Sequence, residues 1–345
     1  MKSNLQTFKS KQAEVNYRSK LVLQYQGKKI LFENEPNHNE IIQALKERMR
    51  STKKDLVHLK KNQVGFSPYL EIGAEFGHRA AVVEDRCQVK GFALDISLES
   101  LAQTPYFAKE LKLKKIPKRI CADVYHLPFQ DNSFNFIFCY QTLHHFPDPK
   151  KIIEEVFRVL KPAGHFFLSE EPVSQTFNLN LWRRPTYLRS WEKFLKKILI
   201  LPFISKIGKT ETEHGILEET FGLKTWQRSL ESFENATVWI KPYPLGPESK
   251  IIKGTKKNWL KPQLVTRALI TITGGGIKVL SRKGGHIPES NNLNISDLIV
   301  CPNCKIKFKN AKCLNCNFKY PTVKGIQILI SPQTLKRLYP KLNVH

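Results

Sequence analysis

Cys301-Pro302-Asn303-Cys304 and Cys313-Leu314-Asn315-Cys316 are two Cys-x-x-Cys pairs with eight residues between them, a spacing that lets four thiolates meet on one metal ion. Four sulfurs close a tetrahedral shell, so a zinc ion held there organises structure and takes no part in a reaction. An iron of the rubredoxin kind and a redox-active dithiol are the other chemistries this spacing allows. Far upstream, acids recur at the ends of short apolar runs: Glu71 within Tyr69-Leu70-Glu71-Ile72, Asp95 after Phe92-Ala93-Leu94, and Asp123 after Ile120-Cys121-Ala122. An acid at the carboxyl end of a strand can accept hydrogen bonds from both hydroxyls of a ribose. His144 and His145 follow a fourth apolar run, 134–140, where an imidazole can take a proton from a hydroxyl near neutral pH, or can simply shape the loop. Tyr140, Asp131 and Glu170 are weaker candidates for that base. His214, in Glu211-Thr212-Glu213-His214-Gly215, is a substrate or metal contact or plain surface.

The elements that must position these groups follow from punctuation and period. After Pro68 a buried strand runs into Gly73-Ala74-Glu75-Phe76-Gly77, and glycine lets a backbone turn sharply and approach a ligand as the next helix begins. From about 62 to 172 apolar strands alternate with helical stretches, the signal of an α/β sheet with helices on both faces. Residues 150–160 read as a helix, turned by Pro162-Ala163-Gly164 into the strand 165–169, which ends in Glu170 and Glu171. Residues 236–283 supply final antiparallel strands, with Ile277-Lys278-Val279-Leu280 the best candidate.

This part of the chain resembles the class I S-adenosylmethionine-dependent methyltransferases of the type-11 kind. The resemblance covers about residues 68–172 and rests on six words in order: Leu-Glu-Ile-Gly-Ala-Glu-Phe-Gly, Ala-Leu-Asp-Ile-Ser, Ala-Asp-Val-Tyr-His-Leu-Pro-Phe, Asp-Asn-Ser-Phe-Asn-Phe-Ile, Leu-His-His-Phe-Pro-Asp-Pro and Arg-Val-Leu-Lys-Pro-Ala-Gly-His. It implies a Rossmann-like, seven-stranded sheet that binds S-adenosyl-L-methionine. Glu71, Gly73 and Gly77 would line the methionine and ribose side, Asp95 would hold the ribose, Asp123 and Val124 would meet the adenine, and Gln141 would lie under the cofactor. The chain departs from the family at Glu75, where a glycine is usual, and at Asn135, where Asp is usual. Either the loop bends differently or the Glu75 carboxylate points at a cation. Residues 298–330 resemble the small zinc-ribbon module that accompanies some methyltransferases, which implies Cys301, Cys304, Cys313 and Cys316 as ligands of a structural zinc.

Composition bounds the rest. The 345 residues allow one large domain and a smaller module. We expect an N-terminal extension over 1–61, loose to residue 18, then a β-hairpin over 21–32 and a helix from 40 to 61. A methyltransferase domain over 62–283 follows, with a lid or substrate insertion at 174–235, then a linker over 284–297, the zinc ribbon over 298–330 and a tail over 331–345. Lys and Arg number 56 against 30 Asp and Glu, and the net charge of +26 attracts RNA, anionic lipid or acidic small molecules, or is only a solvated surface. Residues 187–199 interleave Tyr187, Trp191, Phe194 and Ile198 with lysine and arginine at helical spacing, which suits a lid packed on the sheet or peripheral membrane contact. No secretion signal or apolar run of membrane-spanning length is apparent, and paired cysteines suit a reducing compartment, so a cytoplasmic location is expected.

No Asn-Pro-Pro or Asp-Pro-Pro follows the fourth strand and no Pro-Cys occurs, which argues against methylation of exocyclic base amines or of pyrimidine C5. The expectation is methyl transfer to a small-molecule, sugar or lipid-linked acceptor. The rivals are an rRNA or tRNA methyltransferase, motivated by the charge, and a non-catalytic binding protein that has kept the fold, motivated by Glu75.

Overall fold

The apolar runs that end in acids become parallel strands, and everything else is arranged on their two faces. The computed structural model describes residues 2–26, 38–173, 190–198, 214–243, 245–286, 294–309 and 312–342. Its parallel centre comprises β1 (Tyr69–Ile72), β2 (Gly91–Asp95), β3 (Lys118–Ala122), β4 (Phe134–Tyr140) and β5 (Leu160–Val173). β6 (Asn235–Pro242), β7 (Ser249–Ile252) and β8 (Gly275–Arg282) extend one side, with β8 antiparallel to both β5 and β6. Among the described residues the main sheet has ten strands, in the order β11-β12-β3-β2-β1-β4-β5-β8-β6-β7, where seven were expected. The surplus strands are β7 at one edge and, at the other, β11 (Thr322–Val323) and β12 (Ile326–Leu329).

Each side of the sheet carries its own core, so the central strands are apolar in both directions. On one face α2 (His38–Lys61) and α3 (His78–Cys87) bring Ile41, Leu45, Met49, Leu59 and Val83 against Tyr69, Phe136 and Phe138. On the other, α6 (Pro149–Val159) packs Ile152, Ile153 and Val156 against Leu70, Ile72 and Ile137. Asp148 caps α6 through the Lys150 N–H at 3.0 Å, and Pro149 fills the first turn, where its missing N–H costs nothing. Between them, α4 (Leu98–Ala102) and α5 (Thr104–Glu110) connect β2 to β3.

Two expectations at the N-terminus are corrected. Residues 2–26 are one helix, α1, so the loose start does not exist and the hairpin over 21–32 is wrong for 21–26; its remainder lies outside the described residues. No glycine or proline interrupts 2–26, and once the nucleus has formed the helix propagates through a segment whose short alternation suited either structure. The segment 298–330 does not stand apart from the main sheet. Its strand β12 pairs in parallel with β3, Gln327 opposite Ile120 and Leu329 opposite Ala122. Ile326, Ile328, Leu329 and Ile330 are all buried, more apolar surface than a thirty-residue ribbon can cover alone, and the open edge of β3 offers unpaired backbone groups. The tail includes a helix, Pro332–Leu338, followed by Tyr339, whose hydroxyl donates to Ile96 O at 2.6 Å and accepts from Leu98 N at 2.9 Å. No helix among the described residues is long and apolar enough to cross a membrane.

Candidate active site

The carboxyl ends of β1 to β4 form a rim whose shape is set by the turn after β1. Gly73 has φ +66, and a Cβ there would come within 2.4 Å of the Thr142 side chain, so glycine is required both by the backbone and by this close approach. Gly77, φ +64, starts α3. Between them Glu75 takes φ +50, so the loop keeps the left-handed bend that a glycine would supply. Its carboxylate is held by Arg48 at 3.0 Å and Arg18 at 3.3 Å, guanidinium groups delivered by α2 and α1. The cation expected opposite Glu75 therefore comes from the chain itself.

Asp95 ends β2 with both oxygens engaged by backbone, accepting from Glu75 N and Ser97 N at 2.8 Å each. Burial pushes its carboxyl up to about 6, against those two N–H donors and the field of Arg18. Glu71 lies one strand over, buried, accepting from Ala80 N of α3 at 2.9 Å. Burial lifts it to about 8, although Arg79 and the Ala80 N–H favour the ionised form. Asp123, after β3, accepts from Tyr125 N at 3.1 Å and is ion-paired with Lys11 of α1. Val124 is buried in the core below it. Gln141 is exposed at the end of β4, φ +49, its N–H donated to Ser169 O at 3.2 Å. The rim thus gathers Gly73, Gly77, Asp95, Asp123 and Gln141, with α1 laid across it, and leaves the Glu71 carboxylate beneath.

His144 and His145 sit on a single 3-10 turn, Leu143–His145, with ring centroids 4.2 Å apart. That turn is held by Glu171, fully buried on β5, which accepts from Thr142 N, Leu143 N and His144 N at 2.7, 2.9 and 3.2 Å and meets His144 Nδ1 at 2.8 Å. Burial alone would raise Glu171, but the His144 ring and the backbone donors outweigh it and hold this carboxyl below its ordinary range. Its neighbour Glu170, at φ +63 beside a register shift between Leu168 and Glu171, pairs with Arg79 at 3.1 Å and accepts from Ser51 Oγ at 2.9 Å. Glu218, which sequence reasoning missed, approaches from the segment after the insertion, 3.3 Å from His145 Nδ1 and 3.8 Å from His144 Nε2.

The weaker base candidates are spoken for elsewhere. Tyr140 donates to Asp55 Oδ2 at 3.0 Å beneath the Arg79 guanidinium, within the core under α2. Asp131 precedes β4 at the strands' amino end, opposite the rim, and pairs with Arg158 at 2.7 Å. The His214 ring lies 4.8 Å from that of Tyr17 on α1, which makes it part of the cover.

The four cysteines converge as their spacing predicts: their sulfurs all lie within 4.8 Å of one another, with Cys301 and Cys316 3.9 Å apart. Ligands about 2.3 Å from a tetrahedral centre stand about 3.8 Å apart, so this donor set fits a metal of that kind. A two-stranded ribbon, β9 (Phe308–Lys309) and β10 (Lys312–Cys313), joins the pairs. Gln130 N–H to Leu298 O and Val300 N–H to Pro128 O, at 3.0 and 2.9 Å, tie the module to the loop before β4.

Residues 70–168 match the family described as "Methyltransferase domain". A curated relative, "Uncharacterized methyltransferase YcgJ" of Bacillus subtilis (strain 168), is 35% identical over 127 residues, covering 35% of this chain and 49% of its own. A "Demethylmenaquinone methyltransferase" of Bacillus mycoides (strain KBAB4) is 28% identical over 174 residues, 47% of this chain and 69% of its own. The crystal structure of YcgJ superposes with a TM-score of 0.39 at 18% identity, over 71% of this chain and 99% of that one. The chain spans about half the length of the first of these relatives.

Proposed function

We propose, from the match of residues 70–168 to the family described as "Methyltransferase domain", that the protein transfers a methyl group from S-adenosylmethionine to a small-molecule, sugar or lipid-linked acceptor. The observation that carries this reading is Asp95, fixed by two backbone N–H groups at the end of β2 with Gly73 and Gly77 opening the adjacent loop. A carboxylate so placed would accept from ribose hydroxyls. Asp123 and Val124 would meet the adenine, Gly73 and Gly77 the methionine side, Gln141 the underside, and Glu71 would act from beneath. The cofactor supplies an electrophilic methyl group; the chain aligns donor and acceptor, excludes water and, through His144 or His145, can receive the acceptor's proton. A relative named for demethylmenaquinone supports a lipid-linked acceptor among these classes. Titration calorimetry with S-adenosylmethionine and its demethylated product tests the reading: micromolar binding of both is expected, and no affinity for either in folded protein would move the chain to the non-catalytic class. Labelled cofactor and fractionated cell extract then identify the acceptor.

The Cys301, Cys304, Cys313 and Cys316 set supports a structural zinc, closed to chemistry, that braces the β3 edge. A bound equivalent of zinc, lost on changing any one of the four, tests this. The net charge of +26 favours the RNA reading, which predicts a steep loss of acceptor binding with salt, whereas a neutral acceptor is indifferent to it.

A further inference from the structure

Apart from the four cysteines, only one other group of metal-capable side chains meets among the described residues: His144, His145 and Glu218, whose ligand atoms all lie within 4.8 Å of one another. Ligands about 2.1 Å from a common ion stand about 3.0–3.5 Å apart, and the observed 3.3 and 3.8 Å approach that spacing. The four-cysteine module and the residues proposed to hold the cofactor do not use this cluster, whose two histidines are those proposed above to receive the acceptor's proton.

The surroundings resemble those that orient a metal ligand. Glu171 takes three backbone N–H bonds, which fixes its carboxylate, and that carboxylate receives His144 Nδ1–H at 2.8 Å. The proton is thereby committed to Nδ1, and the lone pair on Nε2 faces Glu218, the carboxylate-histidine-metal arrangement. His145 Nδ1 stands between Leu217 O at 3.0 Å and Glu218 Oε1 at 3.3 Å. Backbone ties hold the Glu218 segment in place: Glu219 N–H donates to His144 O at 2.8 Å and Leu217 N–H to Ser10 Oγ of α1 at 3.4 Å. The three side chains are 9%, 18% and 7% exposed, so an ion would sit in a largely dry site that still has an approach.

We infer that His144, His145 and Glu218 bind a divalent cation of the zinc, cobalt or manganese class, with Glu171 positioning His144. Two imidazoles and one carboxylate suit these ions and leave coordination positions open to water or an acceptor oxygen. The site begins two residues beyond Thr142, whose side chain abuts Gly73 of the loop after β1.

The test uses metal-stripped full-length protein and cobalt(II) alone, so it reads independently of cofactor binding. The thiolate set gives intense sulfur-to-metal charge transfer in the near ultraviolet together with strong visible bands of its own; the nitrogen-oxygen set gives weak visible bands, isolated as those that remain once one equivalent of zinc has displaced cobalt from the thiolates. Both signatures are expected in the wild type. Glu218→Gln and His145→Ala should each weaken the second at least tenfold and leave the first unchanged, with circular dichroism confirming the fold. If the cysteines take no metal, the visible bands alone should still appear. Absence of those bands in saturated wild type, or their survival in both variants, would reduce the cluster to a hydrogen-bonded clasp and overturn the inference.

Discussion

Glu75 shows how one residue can look wrong for its motif and be accommodated. A left-handed backbone costs a non-glycine residue about 1–2 kcal/mol, and at φ +50 Glu75 bears that cost. Its pairs with Arg18 and Arg48 are partly exposed and worth about 0.2–1 kcal/mol each. Glu75→Gly should therefore leave the melting temperature nearly unchanged while speeding amide exchange in α1, read by mass spectrometry. A large loss of melting temperature would mean that the pairs matter more than their exposure allows. Asp95 makes a sharper prediction, because a carboxyl raised to about 6 must ionise before it can accept from two hydroxyls. Cofactor Kd should rise tenfold per unit as pH falls below about 6. Asp95→Asn should abolish that dependence and weaken binding about 10- to 100-fold, the equivalent of about 1.5–3 kcal/mol. Glu71 acts on stability with the opposite sense. Raised to about 8 in the fold and ordinary when unfolded, it binds its proton more tightly in the native state, so its contribution is lost as pH climbs from about 4.5 through about 8. Glu71→Gln should flatten that part of the wild-type stability curve in urea titrations.

At the scale of elements, the C-terminal segment and α1 both reach the rim. Tyr339 bridges Ile96 O and Leu98 N directly behind Asp95, so the tail supports the residue proposed to hold the ribose. Tyr339→Phe should cost about 1 kcal/mol of stability and raise cofactor Kd severalfold, where a tail of no consequence would change neither. Strand β12 connects the cysteine module to β3, the strand that carries Asp123. Chelation, or Cys304→Ser, is expected to accelerate exchange at Ile326–Leu329 ahead of β1 and β4; uniform protection would separate the module from the rim. From the other side α1 places Lys11 on Asp123 and Arg18 on Glu75. Helix α7 (Ser190–Lys197) has the basic and aromatic spacing of an amphipathic helix, and its Trp191 and Phe194 are exposed at 55% and 61%.

At the scale of the molecule, the ten-stranded sheet among the described residues couples parts that composition would divide into domains. Helix α1 and the C-terminal helix Pro332–Leu338 both return to the strands that form the rim, with Phe8 of α1 under Arg337, whose guanidinium is 3.6 Å from the ring centroid. The surplus of basic residues is a property of this whole surface. Its reach is set by the Debye length, about 8 Å at physiological ionic strength.

The strands, the glycine turn, the acids Glu71, Asp95 and Asp123 and the meeting of four cysteines were legible from the chain alone, because each rests on short-range spacing: apolar period, backbone freedom and ligand interval. Helix 2–26 misled because its alternation near residue 21 satisfies two periods, and only tertiary contacts such as buried Val15 and Tyr17 chose between them. Folding alone decided that Glu71 turns inward, that Glu75 finds two arginines, that Glu218 joins His144 and His145, and that β12 extends the sheet. The last three depend on residues dozens to hundreds of positions apart, whose meeting is set by how helices and strands pack, and no local pattern encodes that.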